Sequence, residues 1–214
     1  ISSQGPFVVK FEKEFAQFHN RKYAVATSSC TTALHLSLMS IGIGKGDEVI
    51  CPILTFIAPA NMIRLTGAKV KFVDIDQQTL TINTKKIEEA ITKKTKAIIV
   101  VHQFGHAADM EAILKIAKKH KLFIIEDNAE ALGGRYKNKI LGSFGDIATF
   151  SFFSNKFITS GEGGVIITNN KKIYNKALII RDHGMSKKIK YKFIELGTNY
   201  RITNLQAAYL LAQF

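Results

Sequence analysis

The chain has 214 residues, 46% of them hydrophobic and 22% charged, with a net charge of +13. That balance excludes a disordered or fibrous protein and allows one substantial domain with a real core. No apolar run reaches membrane-spanning length, and two cysteines, Cys30 and Cys51, cannot form a disulfide framework, so a cytoplasmic, reducing setting is expected. The 30 basic residues are scattered beside Ile and Asn rather than gathered in a tract, which argues against a nucleic-acid partner and leaves attraction of a phosphorylated substrate as the simpler use.

In chain order, Phe7, Phe11, Phe15 and Phe18 stand at helical spacing and predict an apolar stripe over residues 7–19. Tyr23 to Ala26 reads as a strand, followed by the small polar turn 27–32. A helix then carries Leu34, Leu38 and Ile41 and ends at Gly42 and Gly44. Glu48 to Cys51 is a strand stopped by Pro52. A helix over about 57–65 and a strand from Lys69 to Ile75 follow, and Thr84 is the expected cap of the helix holding Ile87 and Ile91.

Strands are predicted at Ala97–Val101 and Leu122–Glu126, with a helix capped by Asp109 between them. Both strands are continuously apolar, as strands covered on two faces should be. Beyond Ile147, strands at Ala148–Phe152 and Val165–Thr168 flank a glycine-rich turn. The alternation predicts a three-layer α/β/α domain with a mostly parallel sheet. The absence of an initiating Met before Ile1, and a helix still running at Leu205–Phe214, predict a piece of a longer protein.

Open parallel sheets bind ligands at the carboxyl ends of their strands, which singles out residues 27–32, 126–130 and 151–164. In the first, Ser29 and Thr31 open a helix whose free amides suit a phosphate; a plain N-cap turn has the same look. In the second, Asp127 closes an apolar strand, where a carboxylate can pair with a pyridine nitrogen or simply be solvated. In the third, Lys156 follows an aromatic strand and precedes Gly161-Glu162-Gly163-Gly164, a place for a Schiff-base lysine, although most lysines are surface groups. The glycine turn lacks the strand–glycine–helix order of a dinucleotide site. His102 and His106 are four apart, but Gly105 and the strand-end context argue against a metal pair.

Taken together, several segments resemble one family. They are Ser28-Ser29-Cys30-Thr31-Thr32-Ala33-Leu34, Gly46-Asp47-Glu48-Val49-Ile50, Pro52-Ile53-Leu54-Thr55-Phe56, Glu126-Asp127-Asn128-Ala129-Glu130 and Ser143-Phe144-Gly145-Asp146. The Lys156 segment, Arg181-Asp182-His183-Gly184 and Gly197-Thr198-Asn199-Tyr200-Arg201 complete the order. The chain resembles the DegT-type sugar-nucleotide aminotransferases, pyridoxal-phosphate enzymes of fold type I.

The resemblance implies that 1–214 is a pyridoxal-phosphate-binding large domain whose small C-terminal domain lies beyond this chain. It implies Lys156 as the Schiff-base lysine and proton carrier, Asp127 as partner of the ring nitrogen and Phe56 as the stacking aromatic. Glu130 falls near the phenolic oxygen, and Cys30, Thr31 and Ser151 form the phosphate cradle. Asn199 would reach the cofactor phosphate of a neighbouring subunit, which implies a homodimer with shared sites, and His183 lies toward substrate. Cys30 stands where Gly or Ala is usual, and Asn204 replaces a common acidic residue. Related 3-dehydratases carry His in place of the lysine, so Lys156 favours transamination.

The local look is nearest to perosamine-synthase-like enzymes, which implies glutamate as amino donor and C4 of a nucleotide-linked 4-keto-6-deoxy sugar as acceptor. A 3-aminotransferase, or a non-catalytic ligand-sensing regulator with this fold, are the alternatives.

Overall fold

The computed structural model describes residues 5–214, so Ile1, on which the expectation of an upstream start rests, lies outside it. Helix α1 (Pro6–Phe18) leads into strand β1 (Tyr23–Thr27), helix α2 (Cys30–Ser40), strand β2 (Glu48–Pro52), helix α3 (Ala58–Leu65) and strand β3 (Lys69–Val73). Then follow α4 (Thr84–Ala90), β4 (Thr95–Val101), a short 3₁₀ turn (Gln103–Gly105), α5 (Met110–His120) and β5 (Phe123–Asp127). A small hairpin, β6 (Arg135–Tyr136) with β7 (Lys139–Ile140), precedes β8 (Ile147–Ser151), β9 (Gly164–Thr168), α6 (Lys171–Arg181) and α7 (Asn204–Gln213).

Seven strands form one sheet in the order β1-β9-β8-β5-β4-β2-β3. From β8 to β3 every pairing is parallel, and β9 runs antiparallel to both β1 and β8. That reversal puts the ends of β1, β8 and β5 and the start of β9 on one edge of the sheet.

Side chains alternate between the faces of a strand, and here both faces are covered. Val25, Val49, Ile99, Ile125 and Ile166 pack with Leu34, Leu38, Ile63 and Ile180 of α2, α3 and α6. On the reverse face Phe150, Val165 and Ile167 meet Phe11 and Phe15 of α1 and Leu210 of α7. Ile50, Ile98 and Ile124 meet Ile87 of α4 and Ile113 of α5. The three layers agree with the sequence expectation.

Local corrections have plain causes. The buried stripe of α1 is Val8, Phe11, Phe15 and Ala16, whereas Phe7 and Phe18 flank it and are about half exposed. The α4 helix is capped by Asn83, whose side chain accepts the Lys85 amide at 3.0 Å, so Thr84 is its first helical residue. Strand β3 stops at Val73, and Ile75 instead forms an isolated bridge with Ile82. Asp109 does cap α5, accepting the Ala112 amide.

Candidate active site

A cleft of about 400 Å³ lies along the shared strand edge, lined among others by Cys30, Thr31, Thr55, Phe56, Gln103, Asp127, Glu130, Ser151 and Lys156. Its floor follows from strand periodicity. Asp127 lies two residues beyond Ile125, and Ser151 four beyond Ile147, so both share the face covered by α2, α3 and α6.

The start of α2 forms one wall. Ser29 caps the helix reciprocally with Thr32, which satisfies the third helical amide. The amides of Cys30 and Thr31 donate to no group among the described residues. With the positive end of the helix behind them they form a ready anion site. Gly164 makes this possible: a Cβ there would overlap the backbone of Ser29 and the Cys30 amide, so only glycine lets β9 begin against the helix end.

Asp127 is only 5% exposed. Its Oδ1 accepts the Ala129 amide at 3.0 Å and lies 3.9 Å from Cys30 Sγ. Burial raises its pKa to about 6 against the opposing pull of the Ala129 amide and the Lys156 charge, while Glu130 adds to the rise. Lys156 is half-buried, held by its own amide to the Phe153 carbonyl at 3.0 Å, and takes no ion pair among the described residues. Phe56 is 74% exposed and offers a ring on the cleft wall. Glu130 accepts the Phe104 amide at 2.9 Å, and Ser151 accepts that of Phe153 at 3.3 Å, leaving its hydroxyl proton free to donate.

The cleft therefore gathers Cys30, Thr31, Phe56, Asp127, Glu130, Ser151 and Lys156. It does not include Asn199 or His183. Both are exposed; Asn199 accepts from Arg201 at 3.1 Å, and His183 has a left-handed backbone at φ 60°. Several lining residues were given no role from sequence, among them Thr55, Gln103 and Glu162. Thr55 and Gln103 follow the ends of β2 and β4, where the same strand-end rule would have found them, and Glu162 was read only as part of a glycine turn. The Thr55 hydroxyl is buried without a partner among the described residues. His102 is buried and bonded to Glu126, His106 is exposed, and no metal-binding group of His, Cys, Asp or Glu occurs among the described residues.

The fold and cleft are those of the pyridoxal-phosphate-dependent aminotransferases of fold type I. NtdA of Bacillus subtilis, solved with bound cofactor PMP, superposes with a TM-score of 0.93 at 38% sequence identity, covering 98% of this chain and 48% of that one. The chain belongs to the DegT/DnrJ/EryC1/StrS aminotransferase family, whose sequence profile matches residues 1–214. It is 50% identical to the GDP-perosamine synthase of Escherichia coli O157:H7 and 51% identical to that of Caulobacter vibrioides, in each case over 213 residues and all of this chain. It spans 58% and 57% of those relatives' lengths.

The residues present fit the family's cofactor. An aldehyde-bearing pyridine phosphate needs an amine, a buried carboxylate, a ring-stacking face and an anion site, and this cleft has one of each.

Proposed function

We propose that this chain is the cofactor-holding large domain of an aminotransferase acting on a nucleotide-linked 4-keto-6-deoxy sugar, with glutamate as amino donor. The observation that carries the reading is the meeting of Lys156 and Asp127 in one cleft beneath the open start of α2. When bound, pyridoxal phosphate supplies an electron sink for the carbon bearing the amine.

Lys156 would be the amine that holds the cofactor covalently and, when its amine is free, the base able to carry a proton. Asp127, ionised, holds a proton on the ring nitrogen. The Cys30 and Thr31 amides and the Ser151 hydroxyl would hold the phosphate, an anchor that does not depend on Lys156. Phe56 would stack on the ring, and Glu130 would offer a hydrogen-bonding group beside it. Asn199, outside the cleft of its own chain, is assigned to the phosphate of a neighbouring subunit's cofactor, which requires a homodimer with shared sites, and His183 is assigned to the substrate side. The GDP-perosamine synthases support the sugar-nucleotide substrate, and the net charge of +13 suits a diphosphate. No helix among the described residues is long and apolar enough to cross a membrane, and a cytoplasmic location belongs to the same proposal.

The test uses the full-length protein. Added pyridoxal phosphate should give a visible absorption band that Lys156→Ala abolishes. Incubation with glutamate and a panel of keto sugar nucleotides should yield an amino sugar, with product connectivity separating C4 from C3. A protein that stays colourless, or whose Lys156→Ala variant keeps the band, sinks the reading.

A further inference from the structure

Cys30 and Asp127 meet under the amino end of α2. The Cys30 Sγ lies 3.9 Å from Asp127 Oδ1, and both buried residues line the cleft. The same Oδ1 accepts the Ala129 amide, whereas Oδ2 accepts no hydrogen bond among the described residues. Cys30 cannot drift, because the Ser29–Thr32 cap fixes the helix start and Gly164 packs against its amide.

We propose that Cys30 is a positioning residue for Asp127: its thiol donates to Oδ1 and so presents Oδ2 to the ligand. The inference rests on the function proposed above. A carboxyl turns easily about its last torsion, so one amide alone leaves its orientation loose, and a second donor on the same oxygen settles it. Donation requires a protonated thiol. Burial, followed by the nearby Asp127 carboxyl, pushes the Cys30 pKa well up, so the thiol keeps its proton across the neutral range. A donor to a carboxylate also favours its ionised form. Cys30 thereby works against the burial that makes Asp127 reluctant to ionise.

The test is an absorbance titration of the full-length protein with pyridoxal phosphate between about pH 5.5 and 8.5, for wild type, Cys30→Ala and Cys30→Ser. Cys30→Ala should bind roughly three- to tenfold more weakly near pH 6, and the gap should close toward pH 8. Cys30→Ser keeps a donor and should recover much of the loss. The other ionisable groups around Asp127 are His102 at the end of β4, Cys51 on β2, Glu126 on the reverse face of β5, Glu130 and Lys156; they are common to all three proteins, so the difference isolates the Cys30 thiol. Equal binding by Cys30→Ala at every pH, or a deficit that does not vary with pH, overturns the inference while leaving the proposed function standing. A wild type that fails to bind overturns both.

Discussion

Glu126 and Asp127 are adjacent on β5, yet their carboxylates point to opposite faces of the sheet and experience opposite electrostatics. Glu126 shares the face of Ile124, away from the cleft, and is fully buried. It accepts the amides of Gly142, Phe144 and Gly145 at 2.6 to 2.9 Å and the His102 Nε2–H at 3.3 Å. The Ala108 amide donates to His102 Nδ1, which leaves Nε2 as the ring nitrogen that faces Glu126. Burial alone would raise the Glu126 pKa, but the His102 hydrogen bond and the glycine amides outweigh it and the net shift is downward. Asp127 has one amide for its charge and moves up to about 6.

Glu126→Gln tests the first of these. The substituted amide would place an NH₂ group against backbone donors that now meet an oxygen, leaving buried groups unpaired. A loss of about 2–4 kcal/mol is expected, measured by urea unfolding at pH 7. The sign with pH follows from the lowered pKa. The stabilisation from Glu126 is complete above its unfolded value near 4.5 and is lost as pH falls through the lower folded value. Unfolding curves should therefore show a shallower acid limb below pH 4.5 in the variant than in wild type.

Asp127→Asn should do the reverse in the ligand-free protein. A carboxyl raised from 3.8 to about 6 stabilises the fold fully below 3.8 and loses that contribution as pH rises through 6. At pH 7 the fold thus carries the cost of a buried charge, and the neutral amide, still able to accept from Ala129, relieves it by up to about 3 kcal/mol. The variant should unfold at a higher temperature without cofactor and gain little when pyridoxal phosphate is added, because it cannot balance a protonated ring nitrogen. Thermal melts with and without the cofactor read both effects, and a variant stabilised by cofactor as much as wild type would contradict the role given to Asp127.

The layers were legible in the sequence because their signals are local. The apolar runs of β4 and β5 and the turn residues between elements need only their neighbours to be read. The α1 stripe was misplaced by one helical flank, since four Phe residues at suitable spacing do not tell which of them meets the sheet. For the cleft, the strand-end rule reached 27–32, 126–130 and 151–164, and its further use at β2 and β4 would have reached Thr55 and Gln103. What stayed hidden was non-local. Glu126 gathers partners from His102 and from residues 142–145, and Arg21 Nη2 approaches it to 3.8 Å across more than a hundred residues of chain. No pattern in sequence ties those positions to one carboxylate.

Phe56 separates binding from folding most cleanly. With 74% of its surface exposed and no aromatic partner among the described residues, it adds little to the core. Phe56→Ala should leave the ligand-free melting curve within about 0.5 kcal/mol of wild type. Phe56 nevertheless lines the cleft together with Thr55 and Asp127. Loss of one stacking face should weaken pyridoxal phosphate by roughly 1 kcal/mol, a several-fold rise in Kd. Phe56→Tyr and Phe56→Trp keep a flat ring and should restore the affinity, whereas Phe56→Leu, apolar but not planar, should restore little. Should leucine bind as tightly as phenylalanine, bulk rather than stacking would be the contribution of this side chain.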